Sequence, residues 1–302
     1  TMMKRKASRS PDGDAACTAI TATVDVSGCD LSSAAKNDDG EEYFLSLFQH
    51  QHHCCDDGLN TIASIENLDV SRCRLGPNGI TQLLSFLSIS PCPPPPLSRL
   101  KRICLQRNAI GSVGGRAVGK FLSLDRGVEM IDMSLNDIKA GGGEPTAAKF
   151  IANALKSNTT LKALVMDKCA LGPEGAAHLA NALVENKSLT TLELAGNMIG
   201  PVGGHTLFRA LQENPSLERL GLKMNRIGGG IDKADVRSLS DAFVMGCCCI
   251  TKLDLSYNDL RCSGCAILSK AIMTECSLEE LILEKNDILE DGADALANAL
   301  TN

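Results

Sequence analysis

The stretch LTTLELAGNMIGPVG, residues 189–203, decides how the rest of the chain is laid out. Leu189, Leu192 and Leu194 occupy its first, fourth and sixth places, Asn197 the ninth and Ile199 the eleventh, followed by Gly200 and Gly203. Leu192 and Leu194 lie two apart, so in an extended chain they point to one side. The Asn and Gly that follow turn the chain, and the apolar spacing then lengthens to three and four in GHTLFRALQEN, which predicts a helix. The stretch is therefore a short strand that leads through a loop into a helix.

Eight other stretches repeat this spacing. They begin at Thr21, Ile65, Leu100, Val128, Leu161, Leu217, Ile250 and Leu278, so that with Leu189 the successive offsets are 44, 35, 28, 33, 28, 28, 33 and 28. The basic unit is 28 residues and the longer offsets mark insertions. A repeat array grows in one dimension, so 302 residues need not divide into two cores. We expect a basic and polar tail over 1–20 and one repeat domain over 21–302.

Each unit has the same internal logic. Leu179, Ala182 and Leu183, like Leu207, Ala210 and Leu211, form an apolar stripe that backs a helix onto its strand, and Asn186 and Asn214 close those helices. The ninth place holds Asn108, Asn136, Asn197, Asn225, Asn258 and Asn286, whose side chains can bond the backbone of the adjacent coil. Cys29, Cys73 and Cys169 hold it in the other three units, which makes them structural thiols.

The 28-residue unit, with L-x-x-L-x-L-x-x-N/C-x-L-G-x-x-G followed by a full helix, resembles the ribonuclease-inhibitor-like class of leucine-rich repeats over nearly the whole chain. The resemblance implies an α/β solenoid, a horseshoe of about nine repeats with parallel strands on the concave face and helices on the convex face. It also implies protein binding without catalysis: a scaffold or adaptor, a subunit of a larger complex. Two alternatives come from the same class. One is a GTPase-activating protein resembling the Ran GTPase-activating family; the other is the sensor region of a larger nucleotide-binding receptor. The functional residues of the first do not align onto positions here, and its acidic tail has no counterpart before Asn302.

Composition narrows the setting. With 44% hydrophobic and 22% charged residues the chain is ordinary for a globular protein, and with 3% aromatics and no Trp its core must be aliphatic. A net charge of -6 argues against nucleic acid as the partner, since phosphate binding needs a basic face. No apolar run approaches the length of a membrane span, and the start, TMMKRKASRSPDGD, has no apolar signal region. Fourteen cysteines without a secretion signal read as thiols in a reducing compartment. The expectation is cytoplasmic, with Lys4, Arg5 and Lys6 able to serve nuclear import.

The insertions carry the remaining candidates. The first unit has 16 extra residues and a helix expected over 41–52 from Tyr43, Phe44, Leu47 and Phe48. The second contains Pro91 and Pro93 to Pro96, a stiff extended loop. Gly141 to Gly143 and Gly228 to Gly230 fall between strand and helix on one rim.

Gly114 to Lys120 approaches a phosphate-binding loop, but Phe121 replaces the hydroxyl such a loop needs, and the register buries Val118, Phe121 and Leu122. His50, His52, His53, Cys54 and Cys55 are metal-ligand types, as are Cys262 and Cys265, yet neither group closes a four-ligand site and the repeats hold them apart. The second pair is expected at the Gly-x-x-Gly places of its unit. His178 and His205 are expected at exposed helix positions. No nucleophile or metalloprotease motif is present, so no catalytic, cofactor or metal residue is assigned.

Places three, five, seven and eight of each unit face away from the helices. Arg102, Arg107, Met130, Leu135, Arg219, Met224 and Tyr257 are the side-chain types among them that carry energy in protein interfaces, and are the expected partner contacts. The last unit, with Leu296, Ala299 and Leu300, lacks a polar cap, so a neighbour is expected over the C-terminal edge.

Overall fold

The computed structural model describes residues 21–32, 64–88, 99–124, 127–139, 147–228, 249–273 and 277–301. Nine strands form one sheet in chain order, every pair parallel. They are β1 (Thr21–Asp25), β2 (Ser64–Asp69), β3 (Arg102–Cys104), β4 (Met130–Asp132), β5 (Ala163–Val165), β6 (Thr191–Glu193), β7 (Arg219–Gly221), β8 (Lys252–Asp254) and β9 (Glu280–Ile282). Seven helices are described: α1 (Gly76–Ser88), α2 (Gly111–Leu122), α3 (Ala147–Ser157), α4 (Gly172–Glu185), α5 (Gly200–Leu211), α6 (Arg261–Ile272) and α7 (Glu290–Thr301). Parallel strands need a crossover, and the helix of each unit supplies it.

The strand register places third-place residues side by side across coils, for example Arg102 beside Met130 and Thr191 beside Arg219. The fourth and sixth places are sealed: Leu192, Leu194, Leu220, Leu222, Leu253 and Leu255 are all at most 1% exposed. From the other side Leu179, Ala182, Leu183, Leu207 and Leu211 complete one continuous core. Helices pack about 8–10 Å apart and strands about 4.8 Å apart, so the strand side is the shorter arc and curves inward. The helices begin earlier than the apolar spacing suggests, because the glycine of G-P-x-G is already in the helix and Pro occupies its first turn in α4 and α5.

The ninth-place asparagines bind the coils together. Asn197 Oδ1 accepts the N–H of Cys169 at 2.8 Å and of Leu171 at 3.3 Å, while its Nδ2 donates to the carbonyls of Met166 at 2.7 Å and Leu194 at 2.9 Å. Asn136, Asn225, Asn258 and Asn286 repeat the pattern. These groups lie inside the turn where water cannot reach, so the side chain must satisfy them. In the two buried cysteine units the thiol donates instead, Cys73 to Val26 O at 3.1 Å and Cys169 to Met133 O at 3.2 Å.

A second asparagine ladder runs along the helix ends. Asn186 caps α4 in an extended conformation. Its Oδ1 accepts from Leu189 N at 2.8 Å, and its Nδ2 donates to Leu155 O at 2.6 Å. Asn158 and Asn214 do the same one coil to either side. These residues do more than close helices, since each also ties its coil to the one before.

Candidate functional site

The sheet face opposite the helices is where the strand periodicity sends its odd places. Arg102, Arg107 and Arg219 are exposed there. Met224 is 48% and Tyr257 39% exposed, while Met130 and Leu135 are half-buried. All seven expected contact residues thus lie on one continuous face, spread from β3 to just past β8.

Four of them share a feature the sequence pattern did not show. The eighth place of every coil is left-handed, at Gly28, Arg72, Arg107, Leu135, Lys168, Gly196, Met224, Tyr257 and Lys285, with φ from 53° to 78°. Its N–H donates to the next coil, as Met224 does to Ser256 O at 2.9 Å and Tyr257 to Glu284 O at 2.8 Å. That bond imposes the turn, which glycine adopts without steric cost and which Arg107, Leu135, Met224 and Tyr257 adopt against their preference.

Neighbouring side chains fix part of the face. Lys223 Nζ lies 5.0 Å from the Tyr257 ring, and the Tyr257 hydroxyl donates to Glu284 at 3.4 Å. Lys252 pairs with Glu280 at 2.6 Å, and Gln106 donates to Asp132 at 2.5 Å. The guanidinium groups of Arg102, Arg107 and Arg219 make no hydrogen bond or ion pair with any described residue, and neither does the half-buried carboxylate of Glu193. Burial, then the nearby Asp167 charge, pushes the Glu193 pKa up against the pull of Arg219; burial likewise pushes Asp167 up, although its carboxylate accepts the Ala195 N–H at 2.7 Å. Glu193 and Asp167 did not stand out in sequence, since only the curve of the sheet buries them.

The other candidates resolve differently. Gly114 to Lys120 lies within α2, where Gly119 is close against the Phe150 backbone and Val118, Phe121 and Leu122 are buried, so no phosphate-cradling loop exists. Cys262 and Cys265 are not at the Gly-x-x-Gly places. Arg261 and Gly264 are: Arg261 has φ 56° and its N–H donates to Asn286 O at 2.9 Å, as Gly200 does to Asn225 O. The pair therefore sits one residue further on, with Cys265 buried. His178 and His205 are half-buried rather than exposed, because each lies at the edge of its helix stripe, and His205 Nδ1 has no partner among the described residues.

Residues 1–20, the helix expected over 41–52, His50, His52, His53, Cys54, Cys55, Pro91 to Pro96, Gly141 to Gly143, Gly229 and Gly230 lie outside the described residues. Among the described residues no group of three or more His, Cys, Asp and Glu is placed to hold a metal ion, and no helix is long and apolar enough to cross a membrane.

The leucine-rich repeat family model matches residues 157–180, 185–208 and 246–266. No curated protein matches the chain. Among solved structures, the chain is similar to the actin-binding site 2 of leiomodin-1, at 18% identity over 63% of this chain and 87% of that one, with a TM-score of 0.39. It is also similar to the leucine-rich repeat-containing protein LegL7 from Legionella pneumophila, at 17% identity over 78% and 80%, with a TM-score of 0.43. In the complex of TLR13 with ssRNA13 the likeness covers 75% of this chain and 26% of that one, at 23% identity and a TM-score of 0.43.

Proposed function

We propose that this leucine-rich repeat solenoid is a noncatalytic scaffold or adaptor that holds a protein partner on its concave sheet face, as a subunit of a larger intracellular complex. The carrying observation is that helices cover one side of the sheet while Arg102, Arg107, Arg219, Met224 and Tyr257 stand exposed on the other. Large aromatic, Met and Arg side chains on an uncovered face are what protein interfaces select. The near-uniform 28-residue unit with a full helix supports the ribonuclease-inhibitor-like subtype, organised as one array over 21–302 after a tail over 1–20. A reducing, cytoplasmic setting is supported by Cys73 and Cys169, which serve as thiol donors in the core.

The last described coil offers apolar side chains that a neighbouring protein or further chain would cover. Leu281, Leu283 and Leu296 are only half-buried, and Leu300 is 74% exposed. Their counterparts Leu253 and Leu255 one coil earlier are sealed.

Affinity purification from source cells with residue-specific crosslinking tests the concave reading. Crosslinks from Lys168, Lys223 and Lys252 to one partner are expected, with loss of that partner in the Met224→Ala/Tyr257→Ala double variant. Crosslinks confined to the helix face would sink the concave reading.

A further inference from the structure

The sheet face has an order along the array. Third-coil Arg102 and Arg107 and seventh-coil Arg219 and Lys223 make two basic bands. Between them the fourth, fifth and sixth coils carry Asp132, Asp167 and Glu193, with Lys168 as the one cation, on the outer rim at the eighth place. Around the fifth and sixth coils the floor is low, since Ala163, Thr191, Ala195, Gly196 and Gly221 are all small, so a ligand can come down to the Asp167 and Glu193 carboxylates, while Met130 and Leu135 rise beside Asp132. Gly221 leaves room that the Glu193 carboxylate itself occupies, since a Cβ on Gly221 would collide with Glu193 Oε2.

The charges in these bands are not spent on one another. The guanidinium groups of Arg102, Arg107 and Arg219 have no hydrogen-bond or ion-pair partner among the described residues, and the carboxylate of the half-buried Glu193 has none either. Arg219 acts on Glu193 through space without closing an ion pair. A half-buried carboxylate without a donor is costly, and a partner that brings a cation to it gains more than one that meets a solvated charge.

Resting on the protein-binding reading above, we infer that the sheet face recognises an extended protein segment laid across the strands, with a Lys or Arg at its middle and carboxylates on either side. The spacing follows from two repeats. Adjacent strands are about 4.8 Å apart, so each basic band lies two coils, about 10 Å, from the central coil, which one turn of a polyproline II segment spans, three residues at about 3.1 Å each, while bringing every third side chain back to the same side. The pattern is acidic-x-x-basic-x-x-acidic. The basic residue sits over Asp132, Asp167 and Glu193, and the two carboxylates reach Arg102 with Arg107 and Arg219 with Lys223.

The test uses the full chain and immobilised peptides. Glu-Ser-Ala-Arg-Ser-Ala-Glu within Gly-Ser flanks is compared with the inverted Arg-Ser-Ala-Glu-Ser-Ala-Arg and with a scramble of the first. The first peptide should bind about tenfold more tightly than either at low salt, and the preference should fade as salt rises. Glu193→Gln should remove the preference of the wild type for the first peptide over a fourth in which Gln replaces its central Arg, and Arg102→Glu with Arg219→Glu should reverse the order of the first two peptides. Arg102 and Arg219 are exposed and Glu193 is half-buried, so a cooperative melt for each variant, no lower than wild type for Glu193→Gln, is the control for folding. Equal binding of the three peptides, binding to none of them, or an order untouched by the double reversal overturns the inference. A partner that crosslinks to this face in cells while the peptides show no order leaves the scaffold reading standing and removes only the charge pattern.

Discussion

Asn197 holds Cys169 from one coil away: its Oδ1 accepts the Cys169 N–H at 2.8 Å, and both residues are fully buried. They occupy the same place in successive units, yet they do unequal work. Asn197 closes four bonds to two coils, whereas the Cys169 thiol donates only weakly, to Met133 O at 3.2 Å and Asp167 O at 3.6 Å.

Substituting Asn197→Ala should therefore cost far more than Cys169→Ala. The first leaves the buried N–H groups of Cys169 and Leu171 and the Met166 carbonyl without a partner, while Leu194 O keeps Asn225 Nδ2, for a loss of about 3 kcal/mol or more; the second should cost about 1 kcal/mol. Urea unfolding midpoints at constant slope check the difference. Equal losses would mean that the asparagine ladder does not carry the coil contacts.

The buried thiols make stability fall at alkaline pH. Burial pushes Cys169 up to about 12 and Cys73 and Cys265 up to about 11, from an ordinary 9.0. A raised folded pKa means the stabilisation is complete below the unfolded value and is lost as pH rises through the folded one. Stability should hold up to about pH 9 and drop between there and pH 12. Among the described thiols, labelling at pH 8 should modify Cys29, Cys249 and Cys262 first, with Cys73 and Cys169 protected until unfolding.

Arg261 stands where Gly76, Gly111, Gly172 and Gly200 stand in other coils, all with φ between 56° and 65°. Arg261→Gly should raise stability by about 0.5 kcal/mol or more, because the relief of left-handed strain exceeds the added entropy of the unfolded chain. A lower melting temperature for this variant would show that the Arg261 side chain earns its place by contacts.

Gly119→Ala should destabilise by about 1–3 kcal/mol, since a Cβ there would lie 2.7 Å from the Phe150 carbonyl carbon and force α2 from α3. Lys120→Ala, at an exposed position, should stay within about 0.5 kcal/mol. Paired thermal melts separate the two. A loss of nucleotide binding in Lys120→Ala would contradict the helical packing of this glycine-rich stretch.

Glu193→Gln should stabilise the isolated chain at neutral pH by a fraction of a kcal/mol, a small gain because water still screens the group. Its pKa is raised, so what Glu193 contributes is present below the ordinary carboxylate value of 4.5 and lost as pH rises through the raised one. The difference in unfolding free energy between wild type and variant should therefore shrink on acidification. A gap that widens in acid would reverse the sign assigned to burial.

Much of the fold was legible because the repeat states it nine times. One unit such as 189–203 is ambiguous between a strand and a short buried helix segment, but nine in the same spacing admit one register, and that register also demoted Gly114 to Lys120 to a packed helix. It misplaced Cys262 and Cys265 by one residue, since Arg261 occupies a glycine place and nothing in the spacing marks a left-handed arginine. It also understated Asn186 and Asn214, whose side chains look like turn formers and act as rungs between coils, and it passed over Asn158, which does the same.

The sequence by itself determined the solenoid, its register and the side of the sheet on which Arg102, Arg219, Met224 and Tyr257 stand, because side-chain alternation along a strand is a local property of the backbone. Only the tertiary structure decided that Glu193 and Asp167 are half-buried, that the Glu193 carboxylate has no partner among the described residues, and that the two basic bands bracket them. Those facts depend on which side chains of neighbouring coils come within reach once the coils stack, as Asp167 and Arg219, each 26 residues from Glu193, do.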